Sequence, residues 1–384
     1  MRVRPNMENK EYRICTNCVM DTSDPLITFD ESGRCDFCEN YYDSILPNWH
    51  TDGYGWEVLQ QIAGRIKRNG HGREHDCIIG LSGGTDSSFL THIAVEKLGL
   101  RPLLIAVDTG WNLDVANDNI GKLVSDLHLD LETITVDWDE MKDLQIAFFK
   151  SAVPYQDTPQ DHAIFAGLYN AAASRGIKYV LTGANNSTEC VKPPQEWTYY
   201  NDIRMIKDIH RRFGDVPLRT FPLCSMFKSH VWYRYFKGMR VVKPLNYVRY
   251  TKEEATAVLG ERYGWKRYEN KHYENRLTRF IEGWWMPEKF GYDKRRCYHS
   301  SLILTGQMTR EEALVDLSKP AYDEELVKED MAFICGKLEI TEDELMGWFR
   351  LENKTFRDYH NNYGLIKAAI QLAVLVGMEK RNFR

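Results

Sequence analysis

The sequence has no long apolar run and no block of charges of one sign. No stretch reaches the roughly 18 apolar residues needed to span a bilayer, and the start, MRVRPNMENKEYR, lacks the apolar core of a secretory signal. The longest candidate, residues 365–378, is interrupted by Lys367 and Gln371 and is predicted to form an amphipathic helix. The formal net charge of −5 disfavours a protein whose main function is to bind the phosphate backbone of a nucleic acid. We therefore expect a cytoplasmic protein with neither a membrane nor a nucleic acid as its partner.

Paired cysteines are absent after the first 40 residues. Of the nine cysteines, four form two pairs near the N-terminus, and the others are single: Cys77, Cys190, Cys224, Cys297 and Cys335. An odd total without a signal peptide disfavours a disulfide framework and favours reduced, metal-binding cysteines.

The two cysteine pairs have the spacing of a zinc ribbon. Cys15 and Cys18 form one CxxC and Cys35 and Cys38 form another, with Gly33 supporting a tight turn just before the second. Two such pairs can present four thiolates in a tetrahedron, which leaves no open ligand position. The spacing thus predicts a structural Zn²⁺; a redox CxxC and an iron–sulfur cluster are the alternatives.

Strand-length and helix-length segments alternate from residue 76 onward. DCIIGL, PLLIAVD, LETITV and KYVLTG are short apolar runs, separated by predicted helices at Ser87–Leu98, Leu113–His128 and His162–Ser174. The alternation predicts an α/β fold with a parallel sheet and helices on both faces, whose ligands bind at the carboxyl ends of the strands. After about residue 250 the strand signal fades, and three possible capping boxes indicate a helical C-terminal region: Thr251 with Glu254, Thr309 with Glu312, and Thr341 with Glu344.

A glycine-rich loop follows the first predicted strand, and it reads Ser82-Gly83-Gly84-Thr85-Asp86-Ser87. A strand, a glycine turn and a helix N-terminus together aim backbone N–H groups at an anion. The Ser82 and Ser87 hydroxyls can donate to phosphate, whereas Asp86 fits a phosphate site only through a Mg²⁺ ion. The loop lacks the GKS or GKT of a Walker A motif and is not GxGxxG. The alternative is a plain strand-to-helix turn with an Asp or Ser cap.

This loop resembles the SGGxDS PP-loop of the ATP pyrophosphatases, a group that includes GMP synthetase, asparagine synthetase and the tRNA thiolases. The resemblance implies a Rossmann-type, HUP-like sheet that binds ATP with Mg²⁺. It also implies that ATP is cleaved between the α and β phosphates, with AMP transferred to a substrate oxygen. Two further segments resemble parts of that nucleotide site: VDTGW, which contains Asp108, and LTGANN, which contains Gly183 and Asn185.

The motifs taken together, from ICTNCVMDTSDP through LSGGTDSS and LTGANNSTE to KFGYDKRRCYHSSLILTGQ, resemble the bacterial N-acetyl sugar amidotransferases of surface-polysaccharide and nonulosonic-acid synthesis. The resemblance implies adenylation of an acetamido oxygen and its replacement by ammonia, which gives an acetamidine. We predict a zinc-ribbon module at residues 1–50, a PP-loop domain at 51–250 and a mainly helical substrate or partner domain at 251–384.

No glutaminase motif is present, since no lone cysteine lies in a GxCxG-type elbow. The family resemblance implies a separate glutaminase with an ammonia-conducting barrel subunit, similar to the paired subunits of histidine biosynthesis. The basic run Lys294, Arg295 and Arg296 is a candidate for stabilising the phosphates, with Lys294 and Arg295 assigned to catalysis and a solvated helix end as the alternative. Three residues are left without an assigned role: His162, His272 and Glu274.

Two other functions compete with the amidotransferase. A tRNA thiolase can also combine a zinc module with a PP-loop, but a central CxxC and a more basic surface are expected of it. A regulatory protein that keeps the fold without chemistry is the other, and the intact Ser82, Asp86 and Ser87 argue against it.

Overall fold

The computed structural model describes residues 11–267 and 275–375. Its centre is a five-stranded, wholly parallel sheet in the order β3-β2-β1-β4-β5. The four predicted strands are confirmed, and a fifth, short strand was not foreseen. The strands are β1 (Cys77–Gly80), β2 (Pro102–Asp108), β3 (Leu131–Thr135), β4 (Tyr179–Leu181) and β5 (Arg240–Val242).

The first half of the chain contributes the helices that surround the sheet and the short helices beside the cysteine pairs. The three predicted helices are confirmed within a few residues, the first being extended by a π-helical turn at Ile93–Lys97. The helices are α1 (Asp36–Asn40), α2 (Gly53–Asn69), α3 (Thr85–His92), α4 (Asp114–Leu127), α5 (Trp138–Ser151), α6 (Thr158–Ser174), α7 (Asn186–Glu189) and α8 (Ile203–Phe213).

The second half of the chain is helical after β5, as predicted. A π-helical segment at Lys228–Phe236 precedes that strand, and another, at Ile281–Trp285, joins two short helices. The helices are α9 (Lys252–Tyr263), α10 (Arg276–Phe280), α11 (Met286–Phe290), α12 (Arg295–Leu304), α13 (Arg310–Leu317), α14 (Glu324–Leu338), α15 (Glu342–Phe349) and α16 (Tyr363–Leu375).

The sheet is buried on both faces because alternate residues of each strand point in opposite directions. In β1, Cys77 and Ile79 belong to one apolar cluster, which includes Leu59 of α2 and Leu90 of α3. Ile78 belongs to the other, which includes Ala166 of α6. This two-sided burial explains why the strands read as continuous apolar runs in the sequence.

A third and larger apolar cluster lies outside the sheet. It joins Cys15 and Met20 of the N-terminal segment to Phe148 of α5 and to Trp285 and Phe290 of the C-terminal half. The N-terminal segment therefore packs into the same core as the C-terminal helices. The boundaries at residues 50 and 250 stay predictions.

The capping signals are realised in two different ways. Thr309 and Thr341 form full capping boxes with Glu312 and Glu344. The Thr251 hydroxyl accepts a hydrogen bond from the Glu254 N–H at 3.2 Å, while the Glu254 carboxylate lies 3.4 Å from Arg249. The Glu254 carboxylate is therefore paired with Arg249, and the bond from it to the Thr251 N–H that would complete a capping box is not formed.

No helix in the two described ranges, 11–267 and 275–375, is long and apolar enough to cross a bilayer.

The capping box at α15 gives a direct test of this part of the fold. Thr341→Ala removes the hydroxyl that accepts from the Glu344 N–H at 3.2 Å, so we expect a loss of about 1 kcal/mol in the free energy of unfolding. Thr341→Ser keeps the hydroxyl and should lose much less. Urea denaturation of both variants measures the difference; equal losses would contradict a role for the cap.

Candidate functional site

The glycine loop connects the carboxyl end of β1 to the start of α3. Gly83 has a φ of 78°, and a Cβ atom there would lie 2.6 Å from the carbonyl oxygen of Ala116. Two constraints therefore require glycine at position 83: the left-handed backbone conformation and the close approach of α4. Gly84 occupies the cap position of α3 and has no side chain to cover the first turn of the helix.

The hydroxyls of Ser82 and Ser87 make hydrogen bonds within the turn. Their hydroxyls lie 3.2 Å apart, the Gly84 N–H donates to the Ser82 hydroxyl at 3.3 Å, and the Ser87 hydroxyl donates to the Gly84 carbonyl at 3.2 Å. These bonds keep both hydroxyls beside the N-terminus of α3, which suits anion binding. The donor set therefore fits a phosphate.

Asp86 is positioned by partners from two other segments. Asn185, in the turn after β4, donates to its carboxylate at 3.4 Å, and the Tyr250 hydroxyl donates to the same oxygen. Burial, together with the charge of Asp86, raises the pKa of Tyr250. A Cβ atom on Gly183 would lie 2.9 Å from the backbone of Asp86, so this glycine lets the two turns touch.

The contact between these turns lies where the strand order reverses. β1 is the first strand along the chain, and its neighbours β2 and β4 lead to opposite edges of the sheet. Crevices at the carboxyl ends of strands at such switch points are the usual ligand sites of open α/β sheets. The loop, Gly183 and Asn185 meet there, and their assignment to the nucleotide stays a prediction. Tyr250 was not among the predicted site residues, because its contact with Asp86 joins positions 164 apart in the chain.

A cleft of about 1430 Å³ opens beside the loop. Ser82, Asp86 and Ser87 of the loop line it, together with residues at and after the start of α6 and residues of the C-terminal helices. These further lining residues include Asp157, Gln160, Asp161, Glu282, Lys294, Arg295 and Tyr298. The C-terminal half therefore forms a wall of the cleft that contains the loop.

The three basic side chains at the start of α12 pair with different acidic residues. Lys294 is 6% exposed and forms an ion pair with Glu282. Burial opposes its charge, but Glu282 and the neighbouring acidic groups outweigh this and raise the pKa of Lys294. Arg295 is 2.7 Å from the Asp293 carboxylate, whereas Arg296 turns away to pair with Asp21 at 3.0 Å. The catalytic assignment of Lys294 and Arg295 stays a prediction.

Asp108 lies at the end of β2, and its carboxylate accepts a hydrogen bond from the Gly110 N–H at 2.8 Å. Asp108 is not among the residues that line the cleft. Its assignment to the nucleotide stays a prediction.

His162 is a packed residue in α6. It is fully buried, and its Nε2 accepts a hydrogen bond from the Cys224 N–H at 3.2 Å. Burial lowers its pKa to about 4, so the ring is neutral near pH 7. His272 and Glu274 lie outside the described residues.

The four N-terminal cysteines converge on one point. Their Sγ atoms lie within 4.8 Å of one another, and three of the pairs are 3.6–3.8 Å apart. Thiolates about 2.3 Å from one tetrahedral ion would be about 3.8 Å apart. A cluster that binds each cysteine through a separate iron would hold the sulfurs farther apart. The donor set thus fits a single tetrahedral metal ion.

Several N–H groups donate hydrogen bonds to the cysteine sulfurs, which favours the thiolate form. The Cys18 and Cys35 N–H groups donate to the Cys15 sulfur at 3.4 and 3.1 Å, and the Asn17 side chain donates to Cys38 at 3.3 Å. Gly33, with a φ of 85°, makes the predicted turn before the second pair. The arrangement has the two-knuckle form that the sequence predicts.

The C-terminal part of the chain matches a known family. Residues 274–372 match the family model described as "LPS biosynthesis protein WbpG-like, C-terminal domain". An uncharacterized protein of Methanocaldococcus jannaschii is 21% identical over 281 residues, which cover 71% of this chain and 82% of that protein.

Several solved structures are similar to this chain at low sequence identity. The NH3-dependent NAD synthetase from Campylobacter jejuni is 16% identical, with 78% of this chain and 98% of that chain covered and a TM-score of 0.31. The U34-tRNA thiolase NcsA from Methanococcus maripaludis, with its 4Fe-4S cluster, is 14% identical, with 72% and 80% covered and a TM-score of 0.33.

The loop geometry can be tested with two glycine variants. Gly83→Ala and Gly72→Ala both place an alanine at a positive φ, of 78° and 75°, but only the Gly83 Cβ meets other atoms within 4 Å. We expect Gly72→Ala to lower the free energy of unfolding by about 1–2 kcal/mol. Gly83→Ala should lower it further, as measured by urea denaturation, and equal losses would contradict the close packing of the loop on α4.

The metal site predicts a second pair of variants. Cys35→Ser removes one of four converging thiols, and we expect the bound metal per chain and the melting temperature to fall together. Cys190→Ser changes a buried cysteine outside the cluster and should keep the metal. Elemental analysis of the purified proteins measures the content; a full complement of metal in Cys35→Ser would contradict the four-cysteine site.

Proposed function

We propose that this protein is an ATP pyrophosphatase-type amidotransferase of surface-polysaccharide synthesis, in lipopolysaccharide O-antigen or a related glycan. Its substrate would be an acetamido sugar carried on a nucleotide, and its product the corresponding acetamidine, with AMP and pyrophosphate released. We place the reaction in the cytoplasm, where ATP and sugar nucleotides are available.

The observation that carries the proposal is the shared cleft. The Ser82–Ser87 loop lines the cleft, and so do residues such as Glu282 and Tyr298, which lie inside the segment that matches the lipopolysaccharide-biosynthesis model. An anion-binding loop and a segment similar to a glycan-synthesis domain thus face one space. Its volume of about 1430 Å³ exceeds that of a usual drug-sized pocket of about 300–1,000 Å³, which suits two large substrates.

The proposed chemistry solves a leaving-group problem. An amide oxygen does not leave as an anion, so it first attacks the α-phosphorus of ATP, and pyrophosphate departs. The lone pair of ammonia then attacks the activated carbon, the C–O bond breaks, and AMP carries the oxygen away. The loop N–H groups, with the Ser82 and Ser87 hydroxyls, would stabilise the negative charge on the phosphates.

Two metals have separate roles in the proposal. Asp86 is the group that would hold Mg²⁺, which neutralises charge on the departing pyrophosphate. The four cysteines would hold Zn²⁺, because thiolates in a tetrahedron are its preferred ligands and leave no position for substrate. The zinc is therefore structural in this account.

The state of the cysteines supports an external source of ammonia. All nine are buried. Outside the metal cluster, burial raises the pKa of the Cys190, Cys224 and Cys335 thiols to about 11, and it raises those of Cys77 and Cys297 as well. A glutaminase needs an exposed thiolate. We therefore propose a separate glutaminase and an ammonia-conducting barrel subunit as partners.

No observation favours the tRNA thiolase. Among the described residues, the four N-terminal cysteines are the only candidate metal group that contains cysteine. A central pair for sulfur transfer is absent from the sequence after Cys38.

The decisive experiment is mass spectrometry of a reaction that contains the protein, ATP, Mg²⁺, ammonium chloride and a panel of acetamido sugar nucleotides. We expect AMP and pyrophosphate, together with replacement of one substrate oxygen by NH. Asp86→Asn should abolish AMP formation, whereas Asp126→Asn, at an exposed position of α4 that does not line the cleft, should not. Release of ADP would refute the pyrophosphatase assignment, and AMP formed only with tRNA and a sulfur donor would establish the thiolase.

A further inference from the structure

The charged residues of the chain are unevenly distributed. The whole sequence has 55 acidic and 50 basic residues, yet residues 216–252 contain eight Lys or Arg and no Asp or Glu. In the fold, this stretch includes the π-helical segment Lys228–Phe236 and strand β5. The net charge of −5 is therefore an average, and this part of the molecule is strongly basic.

Four large aromatic side chains of the basic stretch are exposed. Phe227 is 65% exposed, Trp232 43%, Tyr235 67% and Phe236 67%. Tyr233 has the opposite orientation, because it is buried in the apolar cluster that includes Ile78 of β1. Rings exposed to this extent protrude from the surface and do not line a groove. Soluble proteins rarely expose so many neighbouring large apolar side chains without a binding function.

Exposed cations accompany these rings. Arg234 lies within the π-helical segment, Lys237 directly follows it and Arg240 begins β5, and all three are exposed. In the part of the chain that the structure describes, none of them forms an ion pair with a carboxylate. We call this surface the aromatic ridge, and it consists of Phe227, Trp232, Arg234, Tyr235, Phe236, Lys237 and Arg240.

Hydrogen bonds on the inner side attach the aromatic ridge to the fold. The Tyr233 hydroxyl donates to the Asn170 side chain of α6 at 2.7 Å, and the Lys228 ammonium donates to the same oxygen at 3.0 Å. The Met239 N–H donates to the Tyr233 carbonyl at 2.8 Å, which connects the segment to the start of β5. A folded element therefore presents the exposed rings and cations together.

The composition of the aromatic ridge discriminates between possible partners. A second copy would place cations against cations, because a two-fold interface brings the same surface of both subunits together. A nucleic acid needs free ring faces for its bases, but the Trp232 and Phe236 rings stack on each other with centroids 4.9 Å apart. Protein interfaces are depleted of lysine and seat their aromatic anchors in pockets. Exposed aromatic rings beside Lys and Arg are instead typical of surfaces that lie at the headgroup level of a bilayer.

We propose that the aromatic ridge docks this protein on the surface of a bilayer that contains anionic lipids. The rings enter the headgroup region, while Arg234, Lys237 and Arg240 contact the lipid phosphates. The net charge of the whole chain gives the opposite expectation, but a surface acts only on charges within about 8–10 Å of it at physiological salt. No residue of the ridge lines the cleft, so the cleft stays accessible while the protein is docked.

The test is flotation of the full-length protein with vesicles of phosphatidylcholine, with or without added phosphatidylglycerol. We expect binding only to the vesicles that contain phosphatidylglycerol, and weaker binding as the salt concentration rises. Arg234→Gln together with Lys237→Gln should lower the vesicle partition coefficient about 30-fold, which is the effect expected of two cations near an anionic surface.

The chain offers matched controls for charge and for aromatic surface. Arg65→Gln together with Arg68→Gln removes the same charge from exposed positions of α2 and should bind vesicles as wild type does. Tyr235→Ser together with Phe236→Ser should lower the partition coefficient at least about tenfold, whereas Tyr54→Ser, at another exposed tyrosine, should not. All of these variants change exposed side chains, and urea denaturation checks that they are folded.

Each possible result bears on the proposal. Failure of the wild-type protein to bind anionic vesicles at low salt would overturn it. Equal binding by the wild type and both ridge variants would place the membrane contact elsewhere and would also overturn it. An RNA oligonucleotide or an acidic protein that binds through the ridge, without vesicle binding, would assign the surface to that partner instead. Vesicle binding does not depend on the release of AMP, so the proposed function is tested separately.

Discussion

The position of helix α12 is the constraint on which the cleft depends. One stripe of the helix faces the N-terminal module: Arg296 donates to the Val19 carbonyl at 2.9 Å, and the Ser300 hydroxyl accepts from the Val19 N–H at 3.2 Å. The adjacent stripe, with Lys294 and Tyr298, faces the cleft. Residues four apart share a face of a helix, so contacts with the module set the direction of the cleft side chains.

The module can act as a support only if it is itself rigid. Its residues Met20 and Ile27 pack into the large apolar cluster, and its four cysteines meet at one point. Arg310 links that order to the rest of the chain by donating to the carbonyls of Cys15 and Cys18 at 2.8–3.2 Å. The metal site is therefore coupled mechanically to the cleft wall, although it supplies no group to the cleft.

Local signals account for most of what the sequence predicted. The first four strands, the glycine loop and the cysteine pairs are each encoded within a few adjacent residues. The fifth strand was missed because it has only three residues, Arg240–Val242, too few for a period to show. Tyr250 lies 164 positions from Asp86, and the contact of Glu282 with Lys294 depends on where separate helices pack. Each contact depends on tertiary packing and not on a local sequence pattern, so neither could be predicted.

The buried thiols bear on the source of nitrogen in the proposed reaction. All nine cysteines are enclosed, and burial raises the pKa of the Cys190, Cys224 and Cys335 thiols to about 11. A thiol that hydrolyses glutamine has to be an accessible thiolate, and these three thiols are neither accessible nor ionised near pH 7. The proposed function therefore depends on a second protein as the source of ammonia.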